Sequence, residues 1–241
     1  YDWTSKITSL LCISETLLQM HDLGLLHCDL HSGNILQSIF TLYEFSMERP
    51  FITDFGLSKA INETMKKECG DMVGVLPYIA PEVLLGNQYT DKSEIYSFGI
   101  LMSEFSTGKL PFCNMELGST FVIQICYENL RPEFAEGTPK PYIDLAMKCL
   151  DRDPLKRPNI REVHDYFKKW QMVTLKKCMP SEYFSPVIND YVTFNAEEFE
   201  ENKNLFLEFV KSDEINTNAK PYNKQGKKNY MIKLMNFKDV L

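Results

Sequence analysis

The sequence predicts an α+β fold, a mostly helical body carrying short β-hairpin strands. Apolar residues recur at helical spacing in four separate stretches. Two short apolar runs bounded by polar residues read as strands. The polar residues suited to chemistry gather in the loops between these elements, as expected when a regular scaffold presents a site. With 241 residues and 44% hydrophobic content, the chain can bury a core of its own, and its length suits one domain or two small ones.

From Thr4 to about His21, Ile7, Leu10, Leu11, Leu17 and Leu18 share one face of a helix, and Gly24 just beyond supplies its stop. Leu25 and Leu26 lead into His27-Cys28-Asp29-Leu30-His31-Ser32-Gly33-Asn34. Ile35-Leu36 reads as a short strand, and Phe51-Ile52-Thr53 as another that runs straight into Asp54-Phe55-Gly56. Gln37 to Pro50 is longer than a hairpin loop and is expected to be a surface insertion or retained non-coding sequence. Leu57 to Leu76, with little periodicity, predicts a mobile loop.

The prolines of Pro77-Tyr78-Ile79-Ala80-Pro81-Glu82 fix extended backbone, and Pro81 can open a short helix. Asp91 to about Thr107 predicts a central helix that buries Ile95, Phe98, Leu101, Met102 and Phe105 and stops at Gly108. Two more helices are expected, from Tyr142 to Leu150 and from Asn159 to Trp170. The second has Asn159 as its cap with Glu162 in the first turn, and Ile160, Val163, Phe167 and Trp170 facing inward. Beyond about Met179 the chain turns acidic and then Lys- and Asn-rich, with an apolar face only over Phe199 to Val210. The expected division is a folded domain over 1–172 and a largely disordered tail over 173–241.

A net charge of −7 and a pI near 5.2 argue against nucleic acid or an anionic membrane as the main partner. No apolar run approaches the roughly 20 residues that span a bilayer, and the start at Tyr1 shows no signal peptide, so a cytoplasmic location is expected, with the nucleus as the alternative. Seven cysteines without a Cys-x-x-Cys pair predict reduced thiols and no structural zinc. Because the sequence opens on Tyr1, a fragment or a misplaced gene start is expected.

The loop residues carry the chemistry. Asp29 can accept or orient a hydroxyl proton, while Asn34 and Asp54 offer hard oxygens to a Mg²⁺ that bridges nucleotide phosphates. His27 and His31 lie on a loop rather than on one helix face, which speaks against zinc. For His21 and His164 the sequence identifies no partner. In order, the chain reads His27-x-Asp29, Asn34, Asp54-Phe55-Gly56, Ala80-Pro81-Glu82, Ser97-Phe98-Gly99 and Arg157-Pro158. Over roughly Trp3 to Trp170 this resembles the large C-terminal lobe of eukaryotic protein kinases, and most closely their tyrosine-kinase-like group.

The resemblance implies a protein-kinase-like fold, a protein substrate, and ATP with Mg²⁺ as cofactors. Asp29 matches the catalytic base and Asn34 and Asp54 the metal ligands, with His31 beside them in the catalytic loop. His27 becomes a packing residue beside Phe55, Gly56 closes the Asp-Phe-Gly turn, and Glu82 should pair with buried Arg157. Glu94 takes the place of the Asp that braces the catalytic loop from the central helix. Cys28 replaces the family's Arg, so control through a phosphorylated loop is not expected, although Thr64 remains an acceptor. His31 replaces the Lys of Ser/Thr kinases, and Val75 replaces a Thr. No Gly-rich loop, strand Lys or Glu-bearing helix precedes Trp3, so the small lobe is expected to be absent and this chain by itself weakly active or inactive.

The leading expectation is transfer of the γ-phosphoryl of ATP to protein Ser or Thr, with Tyr as the other acceptor. The alternatives are a degenerate kinase acting as a binding module, with the tail docking a partner, and a small-molecule phosphotransferase. Ala80-Pro81-Glu82 and Arg157 favour the protein kinases over the last of these.

Overall fold

The computed structural model describes residues 2–42, 45–61, 74–178 and 196–218. Helix α1, Trp3–Asp22, opens where the Asp2 carboxylate accepts the Ser5 amide at 2.8 Å. Trp3, Ile7, Leu10, Ile13 and Leu17 are fully buried, whereas Leu11 and Leu18 are buried only in part. Past the helix Gly24 adopts φ +70°, a left-handed conformation that glycine enters without a Cβ penalty. Strand β1, Leu25–Leu26, pairs antiparallel with β4, Lys59–Ala60.

Between them β2, Ile35–Leu42, and β3, Phe45–Ile52, form an antiparallel hairpin in register from Ile35 opposite Ile52 to Leu42 opposite Phe45. This corrects the expectation of an inserted loop over Gln37 to Pro50. Residues 37–42 and 45–50 are strand, and Ile39, Phe40, Thr41 and Phe45 are strand formers that continue the ladder begun by Ile35 and Ile52. Most of the loop expected over Leu57 to Leu76, Thr64 included, lies outside the described residues.

Leu76–Tyr78 forms a single 3₁₀ turn, and α2, Pro81–Leu84, starts at its proline. Helix α3, Asp91–Thr107, has reciprocal capping by Thr90 and Ser93 at one end and Gly108 at φ +66° at the other. It is buried on nearly every side: Ile95, Tyr96, Phe98, Ile100, Leu101 and Met102 have no exposure. Its Gly99 admits close packing, since a Cβ there would sit 2.8 Å from Leu150 Cγ.

Helix α4, Ser119–Cys126, was not expected from the sequence. Its apolar run reads equally as strand or buried helix, and packing of Phe121 and Ile125 into the core decides for helix. Helix α5 is Lys140–Cys149 and α6 is Ile160–Cys178. At the start of α6, Asn159 Oδ1 accepts the Glu162 amide at 2.9 Å while Glu162 Oε2 accepts the Asn159 amide at 2.8 Å. The helix continues past Trp170 and buries Val173 and Thr174, so the expected boundary at 172 falls inside it.

Part of the expected disordered tail is also ordered. Residues Ala196–Asn218 form α7, which lies against α1 and α6. Phe209 enters an aromatic cluster with Trp3 and Trp170, ring centroids 5.8 and 5.9 Å apart, and Asp213 Oδ1 accepts the Trp3 amide at 2.8 Å. The cluster continues through Tyr142, 4.9 Å from Trp3, to Phe167. The Lys/Asn-rich end lies outside the described residues.

A buried ion pair ties α2 to the turn before α6. Arg157 donates to both Glu82 oxygens at 2.7 Å, and its Nε and Nη1 also reach the Asp151 and Lys92 carbonyls at 2.8 Å. With its guanidinium fully enclosed, these bonds and the Tyr96 ring 5.2 Å away take the place of lost hydration.

Candidate active site

The loop between β1 and β2 and the turn after β3 meet at one end of the lobe. Two non-glycine residues there, Cys28 at φ 65° and Asp54 at φ 62°, adopt left-handed backbone. Such conformations cost of order 1–3 kcal/mol each and persist where surrounding contacts impose them. At Cys28 the contact is visible: its amide donates to Glu94 Oε1 at 2.7 Å, and the other oxygen of Glu94 accepts from His21 Nε2 at 2.7 Å. Glu94 is 1% exposed, so this carboxylate from α3 spans α1 and the loop inside the core. His21 therefore has the partner that its sequence neighbours do not reveal. His164 has one too, the Ser14 hydroxyl 3.4 Å from its Nδ1.

His27 is fully buried. Its Nδ1 accepts the Asp29 amide at 3.3 Å, which leaves Nε2–H to donate to the Thr53 carbonyl at 3.0 Å. The ring also lies 5.3 Å from that of Phe55, so one imidazole holds the Asp29 segment to the Asp54 segment. Phe55 keeps 51% of its surface exposed despite this contact. Asp54 Oδ1 accepts the Gly56 amide at 3.3 Å, which shapes the turn, and Asp54 is exposed.

Around Asp29 the two carboxylate oxygens differ. Oδ2 accepts Asn34 Nδ2 at 3.2 Å and lies 3.5 Å from His31 Nε2. Oδ1 is buried and has no hydrogen-bond partner among the described residues. Burial pushes the Asp29 carboxyl up, but the hydrogen bonds from His31 and the Asn34 amide outweigh it and hold it below its ordinary value. His31 accepts the Gly33 amide on Nδ1 at 3.0 Å, which turns Nε2 toward Asp29.

Asn34 is 7% exposed, and its amide nitrogen is committed to the Asp29 carbonyl at 2.9 Å as well as to the side chain. That fixes the orientation of the amide and leaves its oxygen to point elsewhere. The Asn34 carbonyl accepts both the amide and the hydroxyl of Thr53, at 2.8 and 3.1 Å, which joins the two segments beside Asp54. Ser32 extends the polar network through Tyr78, whose hydroxyl donates to Glu104 at 2.5 Å. Burial raises the Glu104 carboxyl, and burial with Glu104 beside it raises the Tyr78 hydroxyl. The sequence had singled out neither; each is an ordinary helix or turn residue until the fold brings them together.

A model of the protein kinase domain matches residues 5–167. The chain is 30% identical over 195 residues to a protein kinase and PP2C-like domain-containing protein of Arabidopsis thaliana, covering 66% of this chain and 28% of that protein. It is 32% identical over 151 residues to a probable serine/threonine-protein kinase of Dictyostelium discoideum, 63% of this chain and 15% of the relative. To the dual specificity protein kinase shkA of the same organism it is 28% identical over 195 residues, 80% of this chain and 35% of that one. The chain thus spans between 15% and 35% of the length of these relatives.

Proposed function

We propose a phosphotransfer function on one premise: the chain belongs to the protein kinase family. On this reading the protein moves the γ-phosphoryl group of ATP to a Ser or Thr hydroxyl of a protein, with Tyr as a second acceptor. The names of the relatives, serine/threonine and dual specificity, support those acceptors.

The observation that carries the reading is the asymmetry of Asp29. One oxygen is held by Asn34 and His31, and the other is buried without a partner among the described residues. An anchored, ionised carboxylate whose side chain keeps 16% of its surface open suits the acceptance of a substrate hydroxyl's proton. Its depressed pKa favours orienting the hydroxyl over storing the proton, as a loose phosphoryl-transfer transition state requires. His31 stands in this role as a positioning donor to Asp29.

The donor chemistry fits a hard divalent cation: the amide oxygen of Asn34 accepts no hydrogen bond among the described residues, and Asp54 presents an exposed carboxylate. Mg²⁺ bound there would neutralise and bridge the ATP phosphates. Beside these residues, Leu36 and Phe51 are cross-strand partners on the hairpin with 51% and 43% of their surfaces exposed. Such an apolar pair offers a floor for the flat face of a purine.

A second reading, a degenerate kinase that binds partners without catalysis, draws support from Cys28 and His31 at positions where the family carries Arg and Lys. One experiment separates the readings. The complete gene product is given radiolabelled ATP, Mg²⁺ and two acceptor panels, proteins and small alcohols. Label on protein that vanishes in Asp29→Asn supports the kinase, and label on small alcohols alone makes it a small-molecule phosphotransferase. Absence of label with ATP still bound leaves the binding module.

A further inference from the structure

We infer that the groove between α5, the Asp153–Pro158 turn and α6 binds an acidic protein segment that carries an apolar side chain. The groove encloses about 700 Å³ and shares no residue with the candidate active site. Its walls are basic although the chain as a whole has a net charge of −7. Lys148 comes from α5, Lys156 from the turn and Lys169 from α6; all three are exposed, and none forms an ion pair among the described residues. Lys92 joins them from the start of α3, its ammonium held by the Arg157 carbonyl at 2.9 Å.

Two carboxylates face these four ammonium groups, from Glu162 and Asp165. Glu162 is engaged by the Asn159 amide at the helix start. Arg157 contributes no free charge, because Glu82 neutralises it. The groove therefore keeps a net positive field on an acidic molecule. That arrangement attracts an acidic segment to one place and repels it elsewhere.

The apolar part of the recognition is as well defined. Leu155 is 88% exposed, on a turn fixed by the Asp153 carboxylate, which accepts the Leu155 amide at 3.0 Å. Tyr166 is 41% exposed, with the Lys148 ammonium 6.0 Å over its ring. A large apolar side chain held out on a rigid turn and bordered by lysines is the composition of an interface, with an anchor at its centre and charge around it. The concavity favours an extended chain that can enter between α5 and α6 over a bilayer, which presents a broad surface.

The test uses fluorescence anisotropy with a fluorescein-labelled peptide of alternating Glu and Leu, and a second peptide with Gln in place of every Glu. The acidic peptide should bind, weaken as salt rises, and lose about tenfold or more in affinity in Leu155→Asp and in Lys148→Glu combined with Lys169→Glu. These side chains are exposed, so circular dichroism should show the fold intact. Asp29→Asn should bind the peptide as the native chain does, which keeps this result separate from the phosphotransfer reading. Equal binding of the Gln peptide, unchanged binding by the variants, or no binding at all overturns the inference. Capture of the chain by phosphatidylserine vesicles through the same lysines, without peptide binding, overturns it in favour of a membrane surface.

Discussion

At the scale of single residues, the protonation of Asp29 is set by its neighbours. Its carboxyl is held below the ordinary value because donors from His31 and Asn34 outweigh burial. A depressed folded-state pKa contributes stability that is present above the unfolded value and is lost as pH falls through the folded one. His31→Ala should therefore raise the Asp29 pKa, shrink that contribution at neutral pH, and move the acid limb of stability upward; urea midpoints measured between about pH 7 and pH 3 would show it. An unchanged acid limb would mean that His31 does not hold the carboxylate. The thiols sort by environment in the same way. Burial, with Glu94 beside it, pushes the Cys28 thiol up to about 12, and burial does the same for Cys149, whereas Cys113 is exposed. Brief iodoacetamide treatment followed by mass spectrometry should label Cys113 and spare Cys28 and Cys149 in the folded protein. The buried pair of Arg157 with Glu82 should be costly to break. Glu82→Gln leaves a buried guanidinium without its counter-charge, and chemical unfolding should register about 3–5 kcal/mol.

Among the elements, α7 makes the clearest prediction. Its Phe209 is 2% exposed within the Trp3 and Trp170 cluster, so Phe209→Ala should destabilise the domain by about 3–5 kcal/mol, read from the unfolding midpoint. A loss below about 0.5 kcal/mol would mean that α7 is not seated on the lobe in solution. The sequence hid this helix because its inward face mixes Phe209 with Asn202, Ser212 and Asp213, which read as solvent-facing until Trp3 supplies a donor. By contrast α3 was legible in extent, because Gly108 and a dense apolar run agree, although Phe105, expected inside, is buried only in part. The hairpin was legible only at its base, where Ile35 and Ile52 stand beside the motifs. Its outer rungs depend on pairing between strands, which no local signal states. In the site, Asp29, Asn34 and Asp54 stood out through their order along the chain. The link from His21 to Glu94 joins residues 73 positions apart, and only the fold brings them together.

For the molecule as a whole, the helices supply a rigid frame and the two left-handed loop residues are held against it. Glu94 and His21 fix Cys28 from below, while His27 and Thr53 lock the two loops to each other. The frame thus holds Asp29, Asn34 and Asp54 in fixed places, the preorganisation that the proposed phosphotransfer requires. The basic groove formed by α5 and α6 gives the same frame a second face, which shares no residue with the loops of the site. The most direct test of the central claim compares the complete native gene product with Asp29→Asn for both Mg²⁺-dependent ATP binding and the rate of transfer to a protein acceptor. We predict that ATP affinity stays within about threefold while the transfer rate falls by about 10² or more. Equal transfer rates in the two proteins would contradict the assignment of Asp29 and, with it, the account of the site.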